Sequence, residues 1–193
     1  MLRVGDHPAR GRWWDLYDPG MKRSGDLTEQ QMLAWRRFLL AHALVTRRLE
    51  NDLVAERRLP LASYDVLVQL VEAPERRLRM SELAERVLLS RSGLTRLVDR
   101  LEREGLVRRE VCEDDARGLF TVLTEDGFDR LKGASPVHLR GVSDYAVGRL
   151  DEDEAAALAE LLGRFLDGEP GNGVEEPGSV VVPAQARDLT VPG

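Results

Sequence analysis

Ser81 to Thr124 reads SELAERVLLSRSGLTRLVDRLEREGLVRREVCEDDARGLFTVLT, two short helical patterns followed by two strand patterns around a charged tip. In the first helix Leu83, Ala84 and Val87 share a face, and Leu88 and Leu89 fill the turn that follows. Ser90 is placed as an N-cap, because its hydroxyl can accept from an otherwise unpaired N–H of the next helix. In that second helix Leu94, Leu97, Val98 and Leu101 recur at i, i+3, i+4 and i+7, one apolar stripe for a core. The opposite side carries Arg91, Ser92, Thr95 and Arg96, then Arg100 and Arg103, with no carboxylate in its first two turns. Gly105 is the residue type that ends helices in left-handed backbone.

Leu106 to Val111 reads as a strand and Leu119 to Leu123 as its antiparallel partner, with the polar run Cys112 to Gly118 as the hairpin tip. Helix, turn, helix and ribbon in this order make a winged helix-turn-helix, a mainly α fold with a small β-ribbon wing. Hydroxyls and arginines near the N-terminus of a helix suit a major groove, where Arg pairs with guanine edges and Ser or Thr with either base. The expected DNA-facing set is Ser90, Arg91, Ser92, Thr95 and Arg96, with Ser81 of the first helix added for phosphate contact.

The same stretch resembles the MarR family of bacterial transcription regulators. The resemblance rests on Asp115-Ala116-Arg117 followed by Val122-Leu123-Thr124, and it spans roughly residues 28–167. In that family the wing arginine enters the minor groove and the aspartate holds it, which implies these roles for Arg117 and Asp115. Narrow minor grooves concentrate negative potential and so attract Arg. The resemblance further implies a homodimer built from interlocked terminal helices, a pseudo-palindromic operator, and a repressor released by a small aromatic or phenolic effector. Two departures stand out: Arg79 occupies a place where Thr is frequent, and Pro60 replaces a capping hydroxyl.

The flanks are helical. Thr28-Glu29-Gln30-Gln31 is a capping box with Leu27 and Met32 as its hydrophobic staple. The helix that follows can run to about Arg57 and carries two apolar faces, one with Trp35, Leu39, Leu49 and Leu53, the other with Leu33, Leu40 and Leu44. Two apolar faces imply two burials, one of them against a second chain. A further helix from about Leu61 supplies Tyr64, Leu67, Val68 and Val71 to the core. Thr124 is placed to cap a helix that Pro136 interrupts or kinks, and Leu150 to Glu154 repeats the box-and-staple pattern before Leu158, Leu161, Leu162 and Phe165. The expected organisation is an N-terminal extension (1–27), a core domain (28–168) and a tail (169–193). Within the core domain a DNA-binding lobe (about 60–124) lies between pairing helices (about 28–57 and 125–167). The tail holds four prolines and four glycines without helical period and reads as disordered. Trp13, Trp14, Leu16 and Tyr17 leave two readings for the extension: a segment that docks on the dimer, or an unstructured start.

Composition narrows the class. The net charge of −6 is uneven: Arg76 to Thr124 holds 11 arginines and 9 carboxylates, while the rest holds 17 basic and 25 acidic residues. The basic excess is local to the winged segment. One cysteine excludes an internal disulfide and fits a reducing cytoplasm, and no apolar run reaches membrane-spanning length. His7, His42 and His138 lack ligand spacing, so no metal or cofactor is expected. Nothing in the chain resembles a catalytic apparatus. Cys112 lacks the setting that activates a thiol and reads as inert.

Tyr64-Asp65-Val66-Leu67 carries a second expectation. Urate-responsive members of the resembled family have an Asp in a similar stretch that senses ligand with arginines and a tryptophan, although Glu72 here stands where one such arginine would be. Asp65 therefore has two readings, a structural ion pair with an arginine of the recognition helix, or a place with Trp35, Arg36 and Tyr64 in an effector pocket. For the whole chain the reading is a DNA-binding regulator; the alternative is a winged helix used only as a protein-interaction module.

Overall fold

A computed structural model of the chain describes residues 27–87, 89–112 and 115–166. The tail and all of the extension except Leu27 lie outside these residues, as do Leu88, Glu113 and Asp114, and so do the side chains of Cys112 and of residues 115–118. The readings of Trp13, Trp14, Leu16 and Tyr17 and of a disordered tail fall there too. Among the described residues the order is α1 (Glu29–Arg57), α2 (Leu61–Glu72), β1 (Arg77–Arg79), α3 (Met80–Arg86), α4 (Arg91–Arg103), β2 (Val107–Cys112), β3 (Asp115–Leu123), α5 (Glu125–Tyr145) and α6 (Glu152–Leu166).

The fold is mainly α with a small antiparallel sheet, the winged helix-turn-helix that the sequence predicts. The sheet has one more strand than the sequence revealed. Its order is β1-β3-β2, and Arg77, Leu78 and Arg79 of β1 face Val122, Thr121 and Phe120 of β3. Three residues with one apolar side chain carry no readable alternation; β1 exists because β3 offers it an edge.

The chain divides into two compact units, Met1–Ala41 and His42–Gly193. In the first, Thr28 and Gln31 close the predicted capping box: Thr28 N–H donates to Gln31 Oε1 (2.8 Å) and Gln31 N–H to Thr28 Oγ1 (3.1 Å). The rings of Trp35 and Phe38 stack with centroids 6.0 Å apart, and both are exposed, as are Leu33, Leu39 and Leu40.

In the second unit one core joins Leu53 of α1, Leu67 and Leu70 of α2, Leu83 of α3, Leu94, Val98 and Leu101 of α4, Val107 of β2 and Leu131 and Val137 of α5. Helix ends fix how these elements meet. Pro60 offers α2 no side-chain cap, and Glu50 of α1 substitutes for it by accepting from Leu61 N–H (2.5 Å). The end of α4 is a Schellman motif: Gly105 adopts φ 73°, its N–H donates to the Glu102 carbonyl (3.0 Å) and Leu106 N–H to the Leu101 carbonyl (2.9 Å). Leu101 and Leu106, both buried, complete it. Thr124 caps α5 by accepting from Gly127 N–H (3.0 Å). Gly127 has to be glycine, since a Cβ there would lie 2.0 Å from the Leu106 carbonyl oxygen.

The expected interruption at Pro136 does not occur: α5 runs unbroken from Glu125 to Tyr145. Pro136 and Lys132 are exposed, so the carbonyl left without a donor by the proline ring is on the side where water can serve it. On α6, Asp151 and Glu154 form the second predicted box (3.1 and 2.8 Å). None of its residues is buried, and Leu158, Leu161, Phe165 and Leu166 are exposed. No described helix is long and apolar enough to cross a membrane.

Candidate nucleic-acid interface

The recognition helix α4 owes its position to its two sides. Leu94, Leu97, Val98 and Leu101 are buried, which turns Arg91, Ser92, Thr95 and Arg96 outward, all exposed. Ser90 is the N-cap, accepting from Gly93 N–H (3.2 Å), and its hydroxyl lies 3.3 Å from that of Ser92. Thr95 Oγ1 donates to the Arg91 carbonyl (2.9 Å) and Arg96 Nε to the Ser92 carbonyl (3.3 Å). These bonds hold both side chains along the helix. Among the described residues the Nη groups of Arg96 have no partner, so its fork can meet the two acceptors of a guanine edge. Ser81 sits in the first turn of α3, exposed. Asp115 and Arg117 fall in β3, across the hairpin from β2.

Two links tie α4 to its surroundings. Arg100 Nη2 donates to Ser63 Oγ of α2 (2.8 Å). Arg109 of β2 donates to Asp99 Oδ1 and to Glu102 Oε2, each at 2.5 Å. Among the described residues Asp65 forms no ion pair with an arginine of α4; its electrostatic neighbour is Glu50. Asp65 is exposed, yet it loses enough hydration that its carboxyl is pushed up to about 6, with the Glu50 charge adding to the effect.

A cavity of about 120 Å³ lies between α2 and α5, lined by Tyr64, Val68, Val71, Phe128, Leu131, Lys132 and Ser135. Tyr64 is its predicted member; Asp65 is absent from its lining, and Trp35 and Arg36 belong to the first unit. Tyr64 OH lies 3.5 Å from Ser135 Oγ, and the His138 ring stacks on Tyr64 at 4.4 Å. Burial pushes the Tyr64 hydroxyl up and the His138 imidazole down, favouring the neutral form of each. His138 Nδ1 is buried without a hydrogen-bond partner among the described residues. The volume suits one aromatic ring, and Lys132 and Ser135 add a cation and a hydroxyl to an otherwise apolar wall. Sequence reading missed the α5 half of this wall. Its only signal was Phe128, Leu131 and Ser135 at helical spacing, which marks a face and not a void.

The fold and the face of α4 define a winged-helix DNA-binding protein. The MarR family model matches residues 59–118. The MarR family transcriptional regulator Sco3205 of Streptomyces coelicolor, solved in complex with DNA, is similar at 37% identity and a TM-score of 0.70, over 75% of this chain and 94% of its own. An HTH-type transcriptional regulator of Bacillus cereus is 32% identical over 130 residues, 67% of this chain and 84% of that protein. The HTH-type transcriptional repressor YetL of Bacillus subtilis is 32% identical over 113 residues, 58% of this chain and 67% of YetL. This chain belongs to the MarR family and is a helix-turn-helix transcription regulator.

Proposed function

We propose that the chain is a cytoplasmic homodimeric repressor of a pseudo-palindromic operator, released by a small aromatic or phenolic anion. The observation that carries this reading is the exposed N-terminal face of α4, where Ser90, Arg91, Ser92, Thr95 and Arg96 stand together and the first two turns of the helix hold no carboxylate. In this reading α4 enters the major groove and Ser81 contacts a phosphate. Arg117, held by Asp115, takes the adjacent minor groove. The lobe of residues 60–124 binds DNA, and the helices of 28–57 and 125–167 pair two chains. Trp35, Leu39 and Leu40 of α1 with Leu158, Leu161 and Phe165 of α6 supply apolar surface for that pairing. YetL is a repressor and Sco3205 was solved on DNA, which supports the same role here.

The effector would enter the cavity beside Tyr64, with its anionic group on Lys132 and its ring against Val68, Val71 and Phe128. Of the residues expected to sense ligand, Tyr64 is the one that lines this cavity. The test is selection of random duplexes by the purified full chain, followed by sequencing of what it retains. An inverted repeat with half-site centres ~34–36 Å apart is expected, together with release by millimolar benzoate that Lys132→Gln abolishes. Retained DNA with no common repeat would remove the operator reading, and release unchanged in Lys132→Gln would remove the pocket.

A further inference from the structure

Arg109 is joined to α4 by three hydrogen bonds. Its backbone N–H donates to Glu102 Oε1 (3.1 Å), Nη1 to Glu102 Oε2 (2.5 Å) and Nη2 to Asp99 Oδ1 (2.5 Å). Asp99 and Glu102 are the two carboxylates of α4, one turn apart, and a planar guanidinium can span them where an ammonium cannot. The side chain of Arg109 is 22% exposed against 50% and 37% for its partners, so the cation is the inner member of the group. Across the sheet it faces Thr121, which is fully buried.

Position along the ribbon gives this group its meaning. Beyond Arg109 the next pair on the same face of the ladder is Val111 opposite Leu119, and both are exposed (65% and 41%). The register then shifts between Val111 and Cys112. Arg109 is thus the outermost described polar link between ribbon and helix, and the outer ribbon projects past it as a lever. At about 3.3 Å per residue, Glu110 to Cys112 make a lever of about 10 Å. A tilt of about 10° at its base moves the far end by about 1.7 Å, beyond the tolerance of a hydrogen bond.

We propose that Arg109 is a positioning residue for DNA binding: through Asp99 and Glu102 it sets the angle of the wing against the recognition helix, and it does not itself contact the phosphate backbone. Both of its Nη groups are engaged on α4, and its single charge offsets one of the two α4 carboxylate charges before DNA arrives. The inference rests on the reading that the wing touches DNA through Arg117.

The experiment compares full-length variants on a duplex that the wild-type chain retains. Asp99→Asn with Glu102→Gln removes two negative charges from a helix facing a polyanion, so electrostatics alone predicts tighter binding. A strut predicts binding at least tenfold weaker, a similar loss for Arg109→Ala, and no further loss when all three changes are combined. In an Arg117→Ala background the Arg109→Ala loss should shrink at least threefold, which a general loosening of the fold would not produce. Arg109→Lys should recover part of the affinity, with melting temperatures of all variants near wild type. A carboxylate double variant that binds as well as wild type or better overturns the strut. Arg117→Ala binding like wild type overturns the wing contact beneath it, and the two failures are told apart by these separate titrations.

Discussion

Arg100 of the recognition helix donates to the hydroxyl of Ser63 at 2.8 Å, and Ser63, 1% exposed, is the residue before Tyr64 of the cavity wall. One hydrogen bond therefore links the start of α2 to α4. An occupant that shifts Tyr64 would reach the DNA-binding helix through this contact. Ser63→Ala should lower stability by about 1–3 kcal/mol, the cost of leaving a partly buried charged donor without its acceptor. The measurement is a urea midpoint; a shift below a few tenths of a kcal/mol, at unchanged m, would show that Arg100 finds water instead.

Two helix ends differ in a way that a pair of substitutions can read. Gly105 at φ 73° has open space around a Cβ, while Arg58 holds φ 52° after α1 with its N–H on the Val54 carbonyl (3.0 Å). Gly105→Ala should cost about 1–2 kcal/mol, since only backbone strain is added. Arg58→Gly should relieve strain of the same kind and raise stability, by about 1 kcal/mol at most after the entropy of glycine is charged against it. Denaturant titrations that moved both variants in one direction would contradict this.

Asp65 supplies a pH signature. Its carboxyl is pushed up to about 6 in the folded chain from an ordinary 3.8. Between those values the folded state holds a proton that the unfolded state has released, so this group's contribution to stability falls as pH rises from about 4 to about 6. At pH 7 the full penalty is present. Asp65→Asn should therefore be more stable than wild type at pH 7, and the gain should vanish near pH 4. An equal gain at both pH values would show that desolvation and the Glu50 charge are not its source.

The wing offers a test of sign. Arg117→Ala should weaken operator binding and reduce its salt dependence, by about one unit of slope per wing. Asp115→Ala should weaken it as well, although removal of an acid near DNA favours association electrostatically. Only an aspartate that orients Arg117 makes both changes harmful; Asp115→Ala binding at or above wild-type affinity would reduce the pair to a charged turn.

What the sequence disclosed was what is local. The caps of Thr28, Ser90, Thr124 and Asp151 all join residues three apart, and the stripe on α4 repeats within one helix, so both are written in short windows. Features that depend on distant partners stayed hidden. Glu50 caps a helix 11 residues on, and β1 is a strand only beside β3. The cavity is what α2 and α5 leave unfilled, and a side-chain pattern does not reveal a void. The Pro136 expectation was local too, and the interruption did not form because the carbonyl that lost its donor is on the exposed side of α5.

If α4 reads base edges, Arg96 is the side chain whose loss must show it. Wild type and Arg96→Ala should be titrated at one salt concentration on a retained operator duplex and on a scrambled duplex of equal length. Loss of a bidentate guanine contact predicts a penalty of about 1–3 kcal/mol on the operator, relaxed selectivity at one position in each half-site, and little change on the scrambled duplex. An equal loss on both duplexes would move Arg96 to the phosphate backbone and contradict the claim.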